Sequence, residues 1–421
     1  MAEINKAFTF IGVGPLYNST YTYQQQACTT RFIAEAVVLF FKPQQLILVA
    51  TETSKNEPID GDNPQPRVAY LEQLLGHHTE VKVLTVPEGQ SEADLWQIFN
   101  RLADSVEEGD RILFDITHGF RSLPLLALTV MAYLRLVKPG VDIQKVIYGA
   151  YDAVPRHQAE KPIFDLTLFS ELMDWINAVS VFQASGDLSP VSKLLRQRQG
   201  QIYRQQASSE GKNERPKYMQ AAGNSMQTVS EALKFNRLQQ VQQASQNSIQ
   251  LLEEAQSEIE TWAQPFSQLI DSVRTELESL SADSPGDPEG DQNLQKQYQQ
   301  ILWYHQKGQV THVFLLAREW LVSVGCRQIR LDWRNSDDRQ QMELMLGQRI
   351  QQAAKEQGAC SPLSALLLSA WESVSLMRND LAHFGMRPDP LTVQNINNNV
   401  KRALPLLAKV AEEFFAVPVV K

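Results

Sequence analysis

Two short polar runs contain residue types that could do chemistry, and they lie far apart in the chain. The first extends from Asp115 to Arg121 and reads Asp-Ile-Thr-His-Gly-Phe-Arg. Its hydroxyl, imidazole and guanidinium groups suit phosphates, ribose hydroxyls and base edges. The second extends from Arg378 to His383 and reads Arg-Asn-Asp-Leu-Ala-His. We expect the first run to bind a ligand and the second to catalyse.

The first run lies between a predicted strand and a predicted helix. The apolar stretch 111–115 predicts the strand, and Ser122 with Pro124 marks the start of the helix. In an open parallel sheet such a junction faces the ligand crevice, because N–H groups at the helix start point into it. The sequence therefore predicts a binding loop at this sheet edge.

The five central residues of that loop each offer a binding function. Thr117 and His118 can hydrogen-bond a ligand, and Gly119 lets a ligand approach the backbone closely. Phe120 completes the run, and Arg121 can contact a phosphate or stack on a base. The alternative is that the threonine caps the helix and the histidine packs at the sheet edge.

Loops at the same edge should supply further contacts. The first two predicted strands end near residues 14 and 51, and tyrosines follow the first of them. Tyrosine rings suit adenine stacking, although ordinary surface tyrosines would look the same in a sequence. The candidate contacts from these loops are Gly14, Tyr17, Asn18, Tyr21 and Thr51.

The second run lies at the end of an apolar helix predicted over 362–381. Asn379 lies four residues before His383 and on the same helical face, and Arg378 lies next to it. An imidazole can exchange a proton with a ribose 2′-hydroxyl or a leaving 5′-oxygen, while a guanidinium stabilises the transition-state charge. The alternative is a polar helix end. Because one copy supplies one histidine, a symmetric dimer would provide a second set.

Composition favours a globular protein with reduced thiols. The net charge of −9 argues against non-specific coating of nucleic acid but allows a local basic pocket. The three cysteines are widely spaced, without metal-ligand spacing, so no structural zinc is expected. No signal peptide or membrane span is expected, because the N-terminus lacks the required pattern and the longest apolar stretch is interrupted by Arg135. These features predict a cytoplasmic protein.

Hydrophobic periodicity predicts an α/β N-terminal domain followed by helices. A Gly-x-Gly follows the first strand, but no third glycine supports a nicotinamide cofactor. The predicted strands are 7–14, 46–51, 81–86, 111–115 and 145–151, with loops at 15–23 and 54–66. The predicted helices of this part are 30–41, 68–75 and 92–106. The later predicted helices are 295–324, 339–356, 362–381 and 391–415, and we expect the last of these to kink or split at Pro405.

With the motifs in hand, the chain resembles a known family at both ends. Asp115 to Ser122 is similar to the signature of the CRISPR-associated Rossmann-fold (CARF) domains of type III ancillary proteins. Arg378 to His383 fits the R-x-x-x-x-H motif of HEPN ribonucleases, and 304–319 resembles their early helix. The resemblance implies a Rossmann-like CARF sensor at 1–170, an all-α connecting region at 171–294 with an acidic linker near 281–292, and a C-terminal α-helical HEPN domain at 295–421.

The resemblance implies a cyclic-oligoadenylate-activated, metal-independent endoribonuclease of type III CRISPR antiviral defence. The activator would be shared across a CARF dimer, with cyclic tetra-adenylate favoured over hexa-adenylate. Arg378, Asn379 and His383 would form the catalytic site of a HEPN homodimer or higher homo-oligomer. That site would cleave single-stranded RNA by 2′-hydroxyl attack to a 2′,3′-cyclic phosphate. Because the chain is acidic, RNA capture would depend on local groups such as Arg378 and Arg387.

Two alternatives stay open from the sequence. The chain could be a ligand-responsive regulator that binds cyclic oligoadenylate and a partner or nucleic acid without cleavage. A modest basic run would favour that function, although we expect this run to be a solvated face or dimer linker. The CARF domain could also degrade its own activator, as a secondary ring-nuclease activity. The basic run consists of Lys193, Arg196, Arg198, Arg204, Lys212, Arg215 and Lys217.

Overall fold

The computed structural model describes most of the chain. The described residues are 3–60, 64–118, 123–150, 160–206, 215–281, 290–353, 363–386 and 388–415. The chain divides into two compact units, Met1–Asp174 and Trp175–Lys421. The predicted domain boundaries after residues 170 and 294 stay predictions.

Short apolar runs of the first unit form one mixed, eight-stranded sheet. The strands are β1 Lys6–Phe10, β2 Ser19–Tyr23, β3 Gln26–Thr30, β4 Gln45–Thr51, β5 Glu80–Val86, β6 Arg111–Asp115, β7 Asp142–Gly149 and β8 Glu160–Asp165. Their order across the sheet is β3-β2-β8-β7-β6-β1-β4-β5. The five central and right-hand strands β7, β6, β1, β4 and β5 are parallel to their neighbours within that set. The carboxyl ends of β1, β4 and β6 therefore meet at one edge.

Helices cover both faces of this sheet. The helices of this part are α1 Ile33–Phe41, α2 Glu52–Asn56, α3 Arg67–Leu75, α4 Glu92–Asp104 and α5 Leu123–Val137. Alternate side chains of β1 belong to hydrophobic clusters on opposite faces of the sheet. Ala7 packs with α1 and α3, whereas Phe8 packs with α4 and α5. The rings of Phe8 and Phe114 stack with centroids 4.9 Å apart. The predicted Rossmann-like α/β fold is confirmed.

The loop predicted at 15–23 is wrong in its second half, where the chain forms β2. Tyr21 and Tyr23 of β2 are buried, whereas Thr20 and Thr22 are half-buried, which is the alternation of a strand. The strand pairs antiparallel with β3 and parallel with β8. Threonine and tyrosine favour strands, but their polarity hid the pattern. The strands β3 and β8 were not predicted, and β1 ends at Phe10.

The second unit is helical throughout its described residues, as predicted. The helix α6 Thr167–Ser185 begins in the first unit and continues into the second. The helices that follow are α7 Ser189–Gln206, α8 Met219–Lys234, α9 Leu238–Glu254, α10 Gln256–Trp262, α11 Gln264–Ser267, α12 Ile270–Leu280, α13 Asp291–Gln306, α14 Val310–Gln328, α15 Ser336–Ala353, α16 Ala365–Ala382 and α17 Val393–Phe415. Their buried side chains form one hydrophobic cluster within this unit.

Two helix predictions in this unit need correction. The helix expected over 295–324 is two helices, α13 and α14, because Gly308 adopts a positive φ of 68° between them. The helix α17 runs through Pro405 without a split. The proline lies on the exposed face, where water can bond the carbonyl that it leaves unpaired, while Val400, Ala403 and Leu407 anchor the opposite face.

No helix among the described residues combines the length and the hydropathy needed to cross a membrane.

Candidate functional site

The loop that follows β1 is fixed by a buried arginine from the start of α3. The Arg67 side chain donates from Nη1 to the Gly12 carbonyl at 2.9 Å and from Nη2 to the Gly14 carbonyl at 2.5 Å. Its Nε donates to the Pro58 carbonyl at 3.1 Å, and Glu57 lies 3.8 Å from Nη2. Because a planar guanidinium fixes several acceptors at once, it sets the path of this loop.

A buried carboxylate at the end of β6 organises the adjoining loop. Thr9 donates its hydroxyl to Asp115, and Thr117 donates to Asp115 Oδ1 from its N–H at 3.0 Å and from its hydroxyl at 2.5 Å. The Thr117 hydroxyl in turn accepts the Gly149 N–H at 2.7 Å. This chain of bonds, the Asp115 network, ties β1, β6 and β7 together where the binding loop begins.

Burial sets the ionisation of the groups around this edge. Desolvation raises the pKa of Asp115, against the hydrogen bonds from Thr117 and Thr9 and the charge of His118. Desolvation lowers the pKa of His118, and the nearby Arg67 charge lowers it further, while Asp115 opposes both. Burial thus favours the neutral imidazole, which has one nitrogen able to donate and the other able to accept.

A cavity of ≈170 Å³ opens beside these residues. Its walls come from the loop after β1, the strand β2, the start of α1 and the side chain of His118. The first-turn N–H groups of α1 face no side-chain cap, since Phe32 occupies the N-cap position. The described residues that line the cavity include two arginines, Arg31 and Arg67, and no acidic side chain. The cavity is therefore suited to an anionic ligand with a flat apolar part.

Four predicted contacts line this cavity. They are Gly14, Tyr17, Tyr21 and His118. Tyr17 is 57% exposed and can move onto a ligand, whereas Tyr21 is buried in β2 and forms part of the wall. Gly14 has a positive φ of 100° and open space where a Cβ would lie, so its role is the turn that presents its carbonyl to Arg67.

The other predicted contacts lie elsewhere. Thr117 stands behind the cavity in the Asp115 network, and Asn18 is exposed but does not line the cavity. Thr51 is buried as the N-cap of α2, where its hydroxyl accepts the Ser54 N–H at 3.1 Å. The remaining predicted contacts, Gly119, Phe120 and Arg121, lie outside the described residues.

Two cationic residues of the cavity were missed from the sequence. Arg67 gave no signal, because an arginine that opens a helix after a loop is common on protein surfaces. Arg31 could have been noticed, since a cation just before a helix opposes the helix dipole and needs a reason. It pairs with Asp60 at 2.5 Å in this structure.

The second candidate site is the C-terminal end of α16. Arg378 donates from Nη1 to Asn379 Oδ1 at 3.1 Å, while its buried Nε has no partner among the described residues. His383 is the C-cap residue, and its backbone N–H donates to the Asn379 carbonyl at 3.2 Å. The asparagine and histidine side chains are exposed. The three predicted catalytic residues thus occupy one helix end.

Contacts to neighbouring elements fix the position of this helix end. Asp380 is 2% exposed and accepts the Leu391 N–H at 3.3 Å, which ties α16 to the segment before α17. Further back, Arg318 of α14 makes a two-pronged contact with Glu343 of α15 at 2.7 and 3.1 Å. The same guanidinium lies 5.4 Å above the Trp371 ring of α16. The helix is held firmly while its end stays accessible.

Large apolar side chains surround the accessible end. Leu376 is 53% exposed, Phe384 87% and Met386 86%. Burying such side chains is favourable, so their exposure beside polar residues is typical of a surface that meets another molecule. Phe384 and Gly385 both have positive φ, which turns the chain sharply after the helix.

Metal ligands are not gathered in the part of the chain that the structure describes, where no group of three or more His, Cys, Asp or Glu side chains could hold an ion. Cys28 and Cys326 are free thiols.

Comparison with known families links two parts of the chain to CRISPR systems. Residues 7–155 match the family described as the CARF domain of the CRISPR system endoribonuclease Csx1. Residues 171–283 match the second domain of CRISPR-associated protein MJ1674. These matches support a CRISPR-associated protein that contains a CARF domain, and they place that domain in the sheet-containing unit.

Comparison with individual proteins gives two further findings. The chain is 33% identical over 110 residues to CRISPR-associated protein MJ1674 of Methanocaldococcus jannaschii, a match over 25% of this chain and 17% of that protein's length. Among solved structures, Enterococcus italicus Csm6 bound to cyclic hexa-2′-fluoro-hexa-dAMP aligns over 97% of this chain and 95% of that chain. The TM-score is 0.43 and the identity 11%.

Proposed function

We propose that this protein is a cyclic-oligoadenylate-activated endoribonuclease, with its activator bound in the first unit and single-stranded RNA cleaved at the end of α16. The observation that carries the proposal is the grouping of Arg378, Asn379 and His383 at one accessible helix end. The family match of residues 7–155, to a CARF domain described as part of an endoribonuclease, supports it.

Cleavage needs a proton acceptor, a proton donor and a group that stabilises negative charge. In the proposed reaction the RNA 2′-oxygen attacks the adjacent phosphorus and the bond to the 5′-oxygen breaks. The products are a 2′,3′-cyclic phosphate and a 5′-hydroxyl. His383 exchanges a proton with one of these oxygens, while Arg378 stabilises the charge on the phosphorus-bound oxygens. Asn379 orients the guanidinium through the bond to its Oδ1. The reaction requires no metal.

A second copy of the chain would complete this site. One chain supplies one histidine here, whereas the reaction moves two protons, one off the 2′-hydroxyl and one onto the leaving oxygen. Two helix ends related by a two-fold axis would bring two histidines together. The exposed side chains of Leu376, Phe384 and Met386 would then be covered by the partner.

The cavity of the first unit suits an adenylate ring. Arg31 and the uncapped start of α1 favour phosphate, and neutral His118 can bond a ribose hydroxyl or a base edge. Tyr17 is exposed and can stack on adenine. Because the cavity lies at the sheet edge rather than at the end of α16, we assign it to activation and not to catalysis.

The test is RNA cleavage by the purified full chain, with cyclic tetra-adenylate or cyclic hexa-adenylate added. We expect one ring to stimulate cleavage strongly, and His383→Ala to abolish it with either ring. Arg402→Ala, at an exposed arginine of α17, is the matched control and should cleave normally. If neither ring stimulates the wild type, the activator assignment is wrong.

Two other outcomes would redirect the proposal. Activator binding with intact RNA under all conditions would favour a regulator that binds without cutting. Loss of labelled cyclic tetra-adenylate during incubation with the His383→Ala protein would reveal ring-nuclease activity in the first unit, because the α16 site is then disabled.

A further inference from the structure

The helix α7 has an unusual charge distribution for so acidic a protein. Between Ser189 and Gln206 it carries four basic residues and no acidic one, while the whole chain has a net charge of −9. Lys193, Arg196 and Arg204 recur at helical spacing on one face. Their charges are therefore presented together.

These side chains border a shallow, open depression of ≈460 Å³ on the surface of α7, called the α7 groove below. Its lining residues are Lys193, Arg196, Gln197, Gly200 and Arg204. Gly200 leaves space beside these side chains, since a Cβ at this position would meet no other element of the fold. Lys193 and Arg204 are 11 residues apart, which corresponds to about 16 Å along the helix axis. The groove is long enough to follow an extended strand.

Among the described residues, no acidic side chain neutralises the basic side chains of the groove. No acidic group among the described residues lies within ion-pair distance of Lys193, Arg196 or Arg204. Asp187, at the start of the helix, accepts from the Ser189 N–H and hydroxyl and pairs with Lys234 at 3.3 Å. The groove thus keeps a positive field.

Packing against α8 orients the central arginine. Gly223 of α8 allows a close approach, because a Cβ there would lie 3.2 Å from Arg196 Cγ and 3.0 Å from the Ser192 carbonyl. The same carbonyl accepts from Arg196 Nε at 3.4 Å. Arg198, by contrast, points to the other side of α7 and donates to the Trp262 carbonyl at 2.5 Å. Arg198 therefore supports the packing of the helix, whereas Arg196 is exposed in the groove.

We propose that this α7 groove binds the phosphate backbone of single-stranded RNA, and so holds the substrate of the proposed ribonuclease, on whose function the identity of the ligand rests. Three cations, an amide and a glycine line it, with no aliphatic or aromatic side chain. Protein partners need an apolar core to their interface, whereas backbone phosphates are bound by charge and hydrogen bonds alone. The composition favours nucleic acid over an acidic peptide.

The test measures RNA binding separately from cleavage. A short fluorescein-labelled oligouridylate is titrated with full-length His383→Ala protein, without activator, across a series of salt concentrations. Adding Lys193→Gln, Arg196→Gln and Arg204→Gln should weaken binding about tenfold and reduce the slope of log affinity against log salt by about 2, the value for three phosphate contacts on a single strand. Thermal unfolding should be unchanged, because the three side chains are exposed.

The matched control removes three positive charges elsewhere, with Lys42→Gln, Lys82→Gln and Arg237→Gln in the same background. Equal binding and equal salt slope in the two triple variants would overturn the proposal, since only total charge would then matter. A polyglutamate peptide that competes with RNA at equal charge would overturn the choice of ligand. RNA cleavage is measured separately, on the chain that retains His383. Tight RNA binding without cleavage would contradict the proposed ribonuclease activity but not the proposed RNA binding by the α7 groove.

Discussion

The cavity at the sheet edge and the end of α16 are built in opposite ways. Around the cavity, Asp115 is fully buried and each polar group of its network has a partner within the fold. At the end of α16, His383 is exposed and Arg378 keeps a buried Nε without a partner among the described residues. The first site is preorganised by its own unit, whereas the polar side chains of the second are only partly held by the described residues around them.

This difference separates two kinds of sensitivity to mutation. Removing a member of a satisfied buried network leaves donors unpaired and lowers the free energy of unfolding. Removing an exposed reactive group leaves the fold intact and lowers only the rate. Measuring stability and cleavage together on each variant therefore tests the comparison directly.

The largest effect is expected for Arg378→Ala. Activated RNA cleavage should fall about 10²–10³-fold, the range for losing one group that stabilises transition-state charge. The free energy of unfolding should change by less than about 1 kcal/mol, because the half-buried side chain makes one hydrogen bond among the described residues, to its neighbour, and its buried Nε has no partner there to lose. Cleavage rates and urea unfolding check the two parts. A variant that unfolds early would show that this arginine supports the fold.

Asp115→Ala should have the next largest effect, and on stability. The Asp115 carboxylate accepts three hydrogen bonds, so the alanine would leave the Thr9 hydroxyl and both Thr117 donors unpaired, at a cost of about 3 kcal/mol in urea unfolding. Asp115→Asn should recover most of that loss, because the Thr9 hydroxyl can reverse and accept. Asp104→Ala, at an exposed position, is the control. If Asp115→Asn loses as much unfolding free energy as Asp115→Ala, the negative charge itself is required.

Gly149→Ala probes the same network through packing. A Cβ there would lie 2.4 Å from Ile33 Cδ1 and 3.1 Å from the Thr117 side chain. We expect a loss of about 2 kcal/mol from overpacking, together with weaker activator binding as Thr117 shifts. Gly347→Ala in α15 meets open space and should be neutral or slightly stabilising. Calorimetric unfolding of the two variants gives the answer, and equal transitions would contradict the close approach.

The smallest effect is expected for Thr51→Ala, which decides between a cap and a ligand contact. Loss of the hydroxyl that accepts the Ser54 N–H should lower stability by about 1 kcal/mol. Activator affinity, measured by titration calorimetry, should stay within about twofold of wild type, because a lost ligand hydrogen bond would cost more than that. A much larger loss of affinity would return Thr51 to the binding site.

The parallel strands of the sheet could be predicted from the sequence, whereas the strands at its β3-β2-β8 end could not. The strands β4 and β6 are apolar runs buried on both faces, so they could be located from the sequence. The edge strand β5 was located because apolar residues recur along it, although its Glu80 and Lys82 are exposed. The strand β2 has the composition of a polar loop, and its pairing with β8 joins residues about 140 positions apart. Local propensity contains no information on such a partner, which is why β2, β3 and β8 went unpredicted.

In the candidate sites, too, some residues could be predicted from the sequence and others could not. Motif residues could be named from their chemistry, and the α16 group could be placed because helical spacing fixes which residues share an end. Arg67 could not be found, because its role depends on Gly12 and Gly14 carbonyls that reach it only in the folded chain. Thr51 was named because it follows the second predicted strand, yet the sequence could not show that its hydroxyl would accept the Ser54 N–H as a helix cap.

The pairing of β2 with β8 also constrains when the cavity can form during synthesis. Thr20 pairs with Glu160, so the wall that carries Tyr21 has no parallel neighbour until β8 leaves the ribosome. At 5–20 residues per second, that interval is roughly 7–28 s. The β2–β3 hairpin can form early, since its contacts are local, but it must wait with one edge unpaired. A chain truncated before Glu160 should therefore expose the unpaired edge of β2 and aggregate, without forming the complete cavity wall.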